Sequence, residues 1–281
     1  MSELAFNWMT VVYFFLGGLS AGCYFFSVAA NYWIKEFKPL ARISAILASI
    51  SLAIGMLFLL IDLGQPFRMW RLYFNFNPQS PVSWGSWFLI IFLALNVVYT
   101  WFLIKGEEEK GRIVAYIGLP FALAAGTYIA RILVLAPGRE LWHTALLPFM
   151  FLNGGLISGI ALTLLMSIGR QKRALLSKLG KFVACLVLLE LVMIFTEIIV
   201  LLSRSAEASA SAKLLLVGDY SFLFWTLEIV LGALIPVFIL LFFQNTKITT
   251  RAYVNGTAYI LLLVGIFTMR YILVIGGQIV S

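Results

Sequence analysis

The chain has 281 residues, of which 62% are hydrophobic and 11% charged, and its mean hydropathy is +1.01. Soluble domains carry about 25% charged residues, so this composition excludes a water-soluble enzyme, a disordered chain and a nucleic-acid-binding domain. The net charge of +8 is typical of a membrane protein with basic cytoplasmic loops.

Apolar stretches long enough to cross a membrane recur along the whole chain. Crossing the hydrocarbon core takes about 20 apolar residues in a helix. Eight stretches meet this length: Val11–Trp33, Leu40–Leu63, Val82–Ile104, Ile113–Ala136, Thr144–Ile168, Lys181–Ser203, Asp219–Phe243 and Tyr253–Val280. The sequence therefore predicts an all-α integral membrane protein with eight transmembrane helices, in which residues 1–281 form a single polytopic domain.

The loops between these stretches differ in basic charge. The first, third, fifth and seventh loops carry 13 lysines and arginines, whereas the second, fourth and sixth carry 5. Basic loops face the cytoplasm, so we expect both termini on the extracytoplasmic side.

The second loop, about residues 64–81, combines aromatic residues with arginines, and three prolines interrupt any long helix in it. One interpretation is an aromatic belt that lies flat at the outer interface. The other is a docking platform for a partner protein, since aromatic residues and arginine are enriched at protein interfaces. The residues proposed for docking are Arg68, Trp70, Arg71 and Tyr73.

Two pairs of small residues lie inside the predicted spans. The first span contains Gly18 and Gly22, and the fifth contains Gly155 and Gly159. Small residues four positions apart allow two helix backbones to approach closely. We expect these glycines to shape the helix bundle rather than to do chemistry.

Six ionisable residues fall in or at the ends of the spans: Asp62, Arg131, Glu190, Glu197, Glu228 and Arg270. A charged group in hydrocarbon costs at least a few kcal/mol and normally faces a partner or a wet cavity. The four acids outnumber the two arginines, which favours a proton-handling cavity. The alternative is a set of structural ion pairs that tie the helices together.

Histidine and cysteine are too scarce for a metal redox centre. The single histidine excludes bis-histidine haem ligation, and the two cysteines exclude an iron–sulfur cluster in this chain. If the protein takes part in redox chemistry, its redox centre must be an organic molecule that it binds.

Several segments, taken in order, resemble the NrfD/PsrC family, the membrane subunits of polysulfide reductase-like complexes. They are Trp8–Gly22, Asn77–Trp87, Thr127-Tyr128 running on to Pro137–Trp142, and Thr268–Gln278. The resemblance implies a helical bundle in a prokaryotic inner membrane, with a quinone site near the outer surface. It also implies a ferredoxin-like iron–sulfur subunit above that site and a molybdopterin-type catalytic subunit beyond it.

The resemblance also implies particular site residues. In the polysulfide reductase member, an Asn and a His on the first helix and a Tyr on the fourth hold the quinone. Tyr128 matches that Tyr, while Tyr13 stands at the His position and Thr10 at the Asn position. Trp8 lies above Tyr13, and Asp62 is the expected proton acceptor at the end of the second helix.

The function expected from these observations is a quinol dehydrogenase or quinone reductase subunit, with menaquinone as the expected quinone. A four-helix bundle would hold the quinone. Glu190, Glu197, Glu228 and Arg270 would line a proton path, and Arg131 would fix Asp62 or Glu228. The alternatives are an ion-coupled secondary transporter, which buried charges and glycines would suit, and a passive membrane anchor for a redox enzyme.

Overall fold

The computed structural model describes residues 6–62, 81–136, 139–168, 173–243 and 248–279, and every regular element within them is helical. The α-helices are α1 Trp8–Val28, α2 Lys38–Asp62, α3 Pro81–Lys105, α4 Glu108–Val134, α5 Leu147–Met166, α6 Arg173–Arg204, α7 Ala206–Leu216, α8 Ile235–Phe242, α9 Ile248–Tyr271 and α10 Gly277–Ile279. Short 3₁₀ turns cover Lys35–Phe37 and Glu140–Trp142. Residues Ala29–Trp33, Leu223–Leu234 and Ile272–Gly276 are π-helical.

Eight helical segments within the described residues are long and apolar enough to cross a membrane. They coincide with the eight predicted stretches, and the seventh consists of the π-helical segment followed by α8. Large apolar side chains also cover their outward faces, including Ile113, Val192, Ile199 and Phe238. Such a surface is stable only against lipid or a partner, so the fold agrees with a multi-pass membrane protein.

The helices pack as two groups. Helices α1 to α4 contact one another as a four-helix bundle, and α5, α6, the π-helical segment with α8, and α9 form a second group. The two groups meet along α1 and α5.

Glycines produce the close crossing of α1 and α5. A Cβ added at Gly22 would collide with the backbone of Gly155, and one added at Gly159 would collide with the backbone of Gly22 and Cys23. The backbone carbonyl oxygen of Gly18 lies where Gly155 would carry a Cβ. The expected close-packing role of both glycine pairs is therefore confirmed.

The two ends of the described chain meet at one end of the bundle, here called the terminal face. The Phe6 backbone N–H donates to Gln278 Oε1 at 2.9 Å, and Gln278 Nε2 donates to the Phe6 carbonyl oxygen at 3.0 Å. Arg139 donates to the Gln278 carbonyl oxygen at the same place. An even number of spans puts both ends on one side of the membrane, as predicted; that this side is extracytoplasmic stays a prediction.

Candidate functional site

A polar cluster joins the start of α1 to the end of α2 at the terminal face. Asn7 caps α1, because its side-chain oxygen accepts from the backbone N–H groups of Met9 and Thr10. Its Nδ2 donates to Asp62 Oδ1 at 2.5 Å, and Thr10 Oγ1 donates to Asp62 Oδ2 at 2.6 Å. The structure therefore brings together two of the expected site residues, Thr10 and Asp62.

The two aromatic residues expected in this region differ in exposure. Tyr13 is buried, with its ring edge-on to Phe14 at 5.5 Å between centroids. Trp8 is 56% exposed and packs on Phe58 at 6.1 Å. Trp8 thus lies on the surface of the bundle, as tryptophan does at a membrane interface.

Tyr128 lines a cleft between α3, α4 and the start of α5. The cleft has a volume of about 650 Å³, and its walls include Trp84, Phe88, Thr127, Tyr128, Arg131 and Thr144. The Tyr128 ring covers Gly85, where any added Cβ would collide with it. Ligand pockets have volumes of about 300–1,000 Å³ and mostly apolar walls with a few polar groups, and this cleft meets that description.

The predicted site residues do not all meet in this cleft. Tyr128 and Arg131 line it, but Thr10, Tyr13 and Asp62 are not among its described lining residues. The residues that sequence reasoning grouped around one quinone therefore divide between the Asn7–Thr10–Asp62 cluster and the Tyr128 cleft.

The position of Arg131 differs from the one expected from the sequence. It was expected to fix Asp62 or Glu228, but it is exposed and lines the cleft beside Tyr128. Among the described residues, no ion pair joins it to an acid. Arg131 lies in the last turn of α4, and the length of an arginine there lets it extend its charge out to the interface.

The cleft has a polar connection to α6 through Thr144. The Thr144 hydroxyl donates to Glu197 Oε2 at 2.5 Å and accepts from the Leu146 backbone N–H at 3.1 Å. Thr144 was not expected to matter, because it stands at the edge of a predicted span. The signal in the sequence was a residue with a hydroxyl group, Thr144, just before the apolar helix that begins at Leu147.

Behind Thr144, two small cavities link three buried glutamates. Glu197 and Glu228 line a cavity of about 30 Å³, and Glu228 and Glu190 line another of about 20 Å³. Glu228 lies in the 12-residue π-helical segment. π-helical turns are rare and occur frequently at functional sites.

Glu190 ends the series near the middle of the span. Asn153 Nδ2 donates to its Oε2 at 2.6 Å, while its Oε1 is buried without a hydrogen-bond partner in the described part of the chain. Asn153 was missed by sequence reasoning, although an amide inside an apolar span is itself a signal.

Arg270 is buried beside this series. Its guanidinium lies 3.7 Å from the ring centroid of Phe151 and donates to the Phe151 carbonyl oxygen at 2.8 Å. Two further nitrogens, Nε and Nη1, are buried without hydrogen-bond partners among the described residues. The preceding residue, Met269, lines both cavities. Burying nitrogen atoms without hydrogen-bond partners costs free energy. A functional role therefore explains Arg270 better than a purely structural ion pair does.

Of the six ionisable residues picked out from the sequence, four are buried in the structure: Glu190, Glu197, Glu228 and Arg270. Asp62 is half-buried and Arg131 is exposed. The predicted docking residues Arg68, Trp70, Arg71 and Tyr73 lie outside the described residues.

Residues 1–281 match the family model described as "Polysulphide reductase, NrfD". The sequence is 26% identical to a selenate reductase subunit of Mesobacillus selenatarsenatis, over 94% of this protein and 72% of the relative. It is 23% identical to one of the polysulfide reductase chains of Wolinella succinogenes, over 99% of this protein and 95% of the relative. It is 28% identical to the Hdr-like menaquinol oxidoreductase integral membrane subunit of Archaeoglobus fulgidus, over 52% of this protein and 38% of the relative.

Proposed function

Because the chain belongs to the NrfD family of polysulphide reductase membrane subunits, we propose that it is the membrane subunit of a respiratory oxidoreductase. In this role it oxidises a quinol, or reduces a quinone, and exchanges electrons with a partner subunit. The names of the relatives support the proposal, since they include reductase subunits and a menaquinol oxidoreductase membrane subunit. Menaquinol is accordingly the proposed substrate.

The observation that carries the proposal is the cleft of about 650 Å³ lined by Tyr128. Its aromatic walls, Trp84 and Phe88, suit the flat apolar ring of a quinone. The hydroxyls of Tyr128 and Thr144 and the guanidinium of Arg131 can hydrogen-bond the two ring oxygens. We therefore assign the quinone head group to this cleft.

The Asn7–Thr10–Asp62 cluster is the proposed proton acceptor at the terminal face. A carboxylate that already accepts two hydrogen bonds, 2.5 and 2.6 Å long, is held in a fixed position. Tyr13 is buried three residues along α1 from Thr10. It is the second tyrosine of the proposed site, within the bundle rather than in the cleft.

Glu197, Glu228 and Glu190 are the proposed path by which protons reach the membrane interior. The two cavities of about 30 and 20 Å³ join the three carboxyl groups in series, and Arg270 supplies the positive charge at the inner end. Buried carboxyl series of this kind serve as proton relays in membrane proteins.

Electrons need a carrier outside this protein. We propose that a ferredoxin-like iron–sulfur subunit docks on the loop at about residues 64–81 and passes electrons to or from a molybdopterin-type subunit. Two of the relatives are named as single components of larger reductases, and such a component functions within an assembly.

Quinone binding in the cleft can be measured with the purified complex. Titration with a menaquinone analogue should quench tryptophan fluorescence saturably, because Trp84 lines the cleft. The Trp84→Phe variant should lose most of the saturable component.

The matched control is Trp101→Phe. Trp101 lies on the same helix but near its other end, where Lys105 Nζ lies 4.5 Å from its ring. It should retain the wild-type response. Equal quenching in both variants would place the quinone outside the cleft, and no saturable quenching in the wild type would contradict the proposed function.

A further inference from the structure

Thr144 lines the cleft and also donates a hydrogen bond to a buried glutamate, Glu197. Its Oγ1 donates its hydrogen to Glu197 at 2.5 Å and accepts from the Leu146 N–H at 3.1 Å. A hydroxyl has one hydrogen and two lone pairs. These two bonds therefore leave one acceptor position, at a residue that forms part of the cleft wall.

The bond to Glu197 leads into the buried carboxyl series. Glu197 shares a cavity of about 30 Å³ with Glu228, and Glu228 shares the next cavity with Glu190. On the side away from these cavities, Arg204 donates to the His143 carbonyl oxygen at 2.8 Å. Arg204 also lies 3.6 Å from Glu140. Glu197 thus stands between a charged surface group and the interior series.

We propose that Thr144 is the relay through which a proton of the bound quinol passes to Glu197. The inference rests on the proposed function, since it requires a quinol in the cleft. The quinol loses two protons and two electrons and becomes the quinone. Both electrons leave to the iron–sulfur partner.

One proton moves from the quinol hydroxyl to the open lone pair of Thr144 Oγ1 as the Thr144 hydrogen moves to Glu197. The threonine ends unchanged, and Glu197 becomes protonated. The other proton leaves the second quinol hydroxyl to water. Asp62, which is not among the described residues of the cleft wall, is the proposed final acceptor at the terminal face.

Thr196 on α6 is a matched control outside the cleft. It is exposed, and its hydroxyl donates to the Val192 carbonyl oxygen of its own helix at 2.7 Å. Replacing either threonine with valine removes one hydroxyl and keeps the shape of the side chain. Of the two threonines, only Thr144 donates a hydrogen bond to an acidic side chain.

The test is steady-state oxidation of a water-soluble menaquinol analogue by the intact complex. Thr144→Val should lower kcat by about 10-fold or more, as expected for loss of a proton-transfer group. The KM and the fluorescence-detected binding of the analogue should change less than kcat, because only one hydrogen bond to the bound quinol is lost. Thr144→Ser should restore the rate, whereas Thr196→Val should leave it unchanged.

Glu197→Gln extends the test, because the amide can still accept the Thr144 hydrogen bond but cannot take up the proton. This variant should show the same loss of kcat, and the double variant with Thr144→Val should be no slower than either single one. A wild-type rate in Thr144→Val would overturn the relay, as would a normal rate in Glu197→Gln.

Failure of the proposed function would look different. In that case the wild-type complex itself would neither bind nor oxidise the quinol.

Discussion

Tyr128 presents its hydroxyl in a cleft while its ring is held against the helix α3. The ring covers Gly85, so Tyr128→Phe keeps the packing and removes only the hydroxyl. Loss of one hydrogen bond to the reacting ring oxygen should lower kcat/KM by about 10-fold. The change in kcat/KM is measured from the rate of quinol oxidation by the purified complex.

Tyr116→Phe is the control for that variant. Tyr116 lies on the same helix, and its hydroxyl accepts from Trp33 Nε1 at 3.2 Å, far along α4 from the cleft. It should have wild-type activity. Wild-type activity in Tyr128→Phe with normal assembly would remove Tyr128 from the site.

Asp62 has a structural explanation that competes with its proposed role. It ties Asn7 and Thr10 to the end of α2. If it also accepts a proton, Asp62→Asn should lower turnover several-fold while the complex still assembles.

Asn7→Ala separates the two explanations for Asp62. It removes one of the bonds to Asp62 and the cap of α1, at a cost of about 1 kcal/mol in stability. We expect its thermal stability to fall at least as much as that of Asp62→Asn, with little loss of turnover. If both variants lose turnover in proportion to their loss of stability, the only role of Asp62 is to hold the start of α1 against the end of α2.

At the residue scale, the chemistry was more predictable than the geometry. Glu190, Glu197, Glu228 and Arg270 are recognisable because charges inside apolar spans are rare. Their partner Asn153 lies on α5 and their partner Thr144 lies in the loop before it, and hydrogen bonds between separate segments leave no spacing pattern in the sequence. The division of the expected site between the cleft and the Asp62 cluster was unpredictable for the same reason.

The crossing of α1 and α5 depends on glycines at which no side chain fits. Gly22→Ala would drive a methyl group into the backbone of Gly155 and force the helices apart. Overpacking of this kind costs about 1–3 kcal/mol. We expect a lower unfolding temperature and less monodisperse protein on gel filtration in detergent.

Gly17→Ala is the matched control on the same helix. The added methyl group would meet only the Ile129 side chain, at an ordinary contact distance of 3.6 Å. Its unfolding temperature should stay near that of the wild type. Equal stability of the two variants would show that α1 and α5 do not cross as tightly as the structure indicates.

Helix boundaries show what hydropathy can and cannot predict. The fourth span was expected to begin at Ile113, but α4 begins at Glu108. Hydropathy detects the segment in hydrocarbon, whereas the helix continues into water through charged residues such as Lys110 and Arg112. The short helix α7, Ala206–Leu216, lies between the sixth and seventh predicted spans, because its 11 residues are too few to cross a membrane.

The π-helical segments were also outside the reach of sequence reasoning. No residue pattern in Leu223–Leu234 or Ile272–Gly276 indicates a π-helix.

In the whole molecule, both ends of the described part of the chain lie at the terminal face, where the Asp62 cluster also lies. Eight spans and the same-side termini followed from the sequence because a bilayer demands a fixed length of apolar helix. The side of the membrane follows only from the positive-inside rule.

Cysteine-specific labelling of a tag at either end of the protein in intact cells should succeed with a membrane-impermeant reagent. Labelling only after permeabilisation would invert the topology.

A density map of the assembled complex with a bound menaquinone analogue tests the quinone site most directly. We expect ring-shaped density in the cleft between Trp84 and Thr144, with a ring oxygen in hydrogen-bond reach of Tyr128. Density for the analogue elsewhere, with the cleft filled by lipid or by side chains, would contradict it.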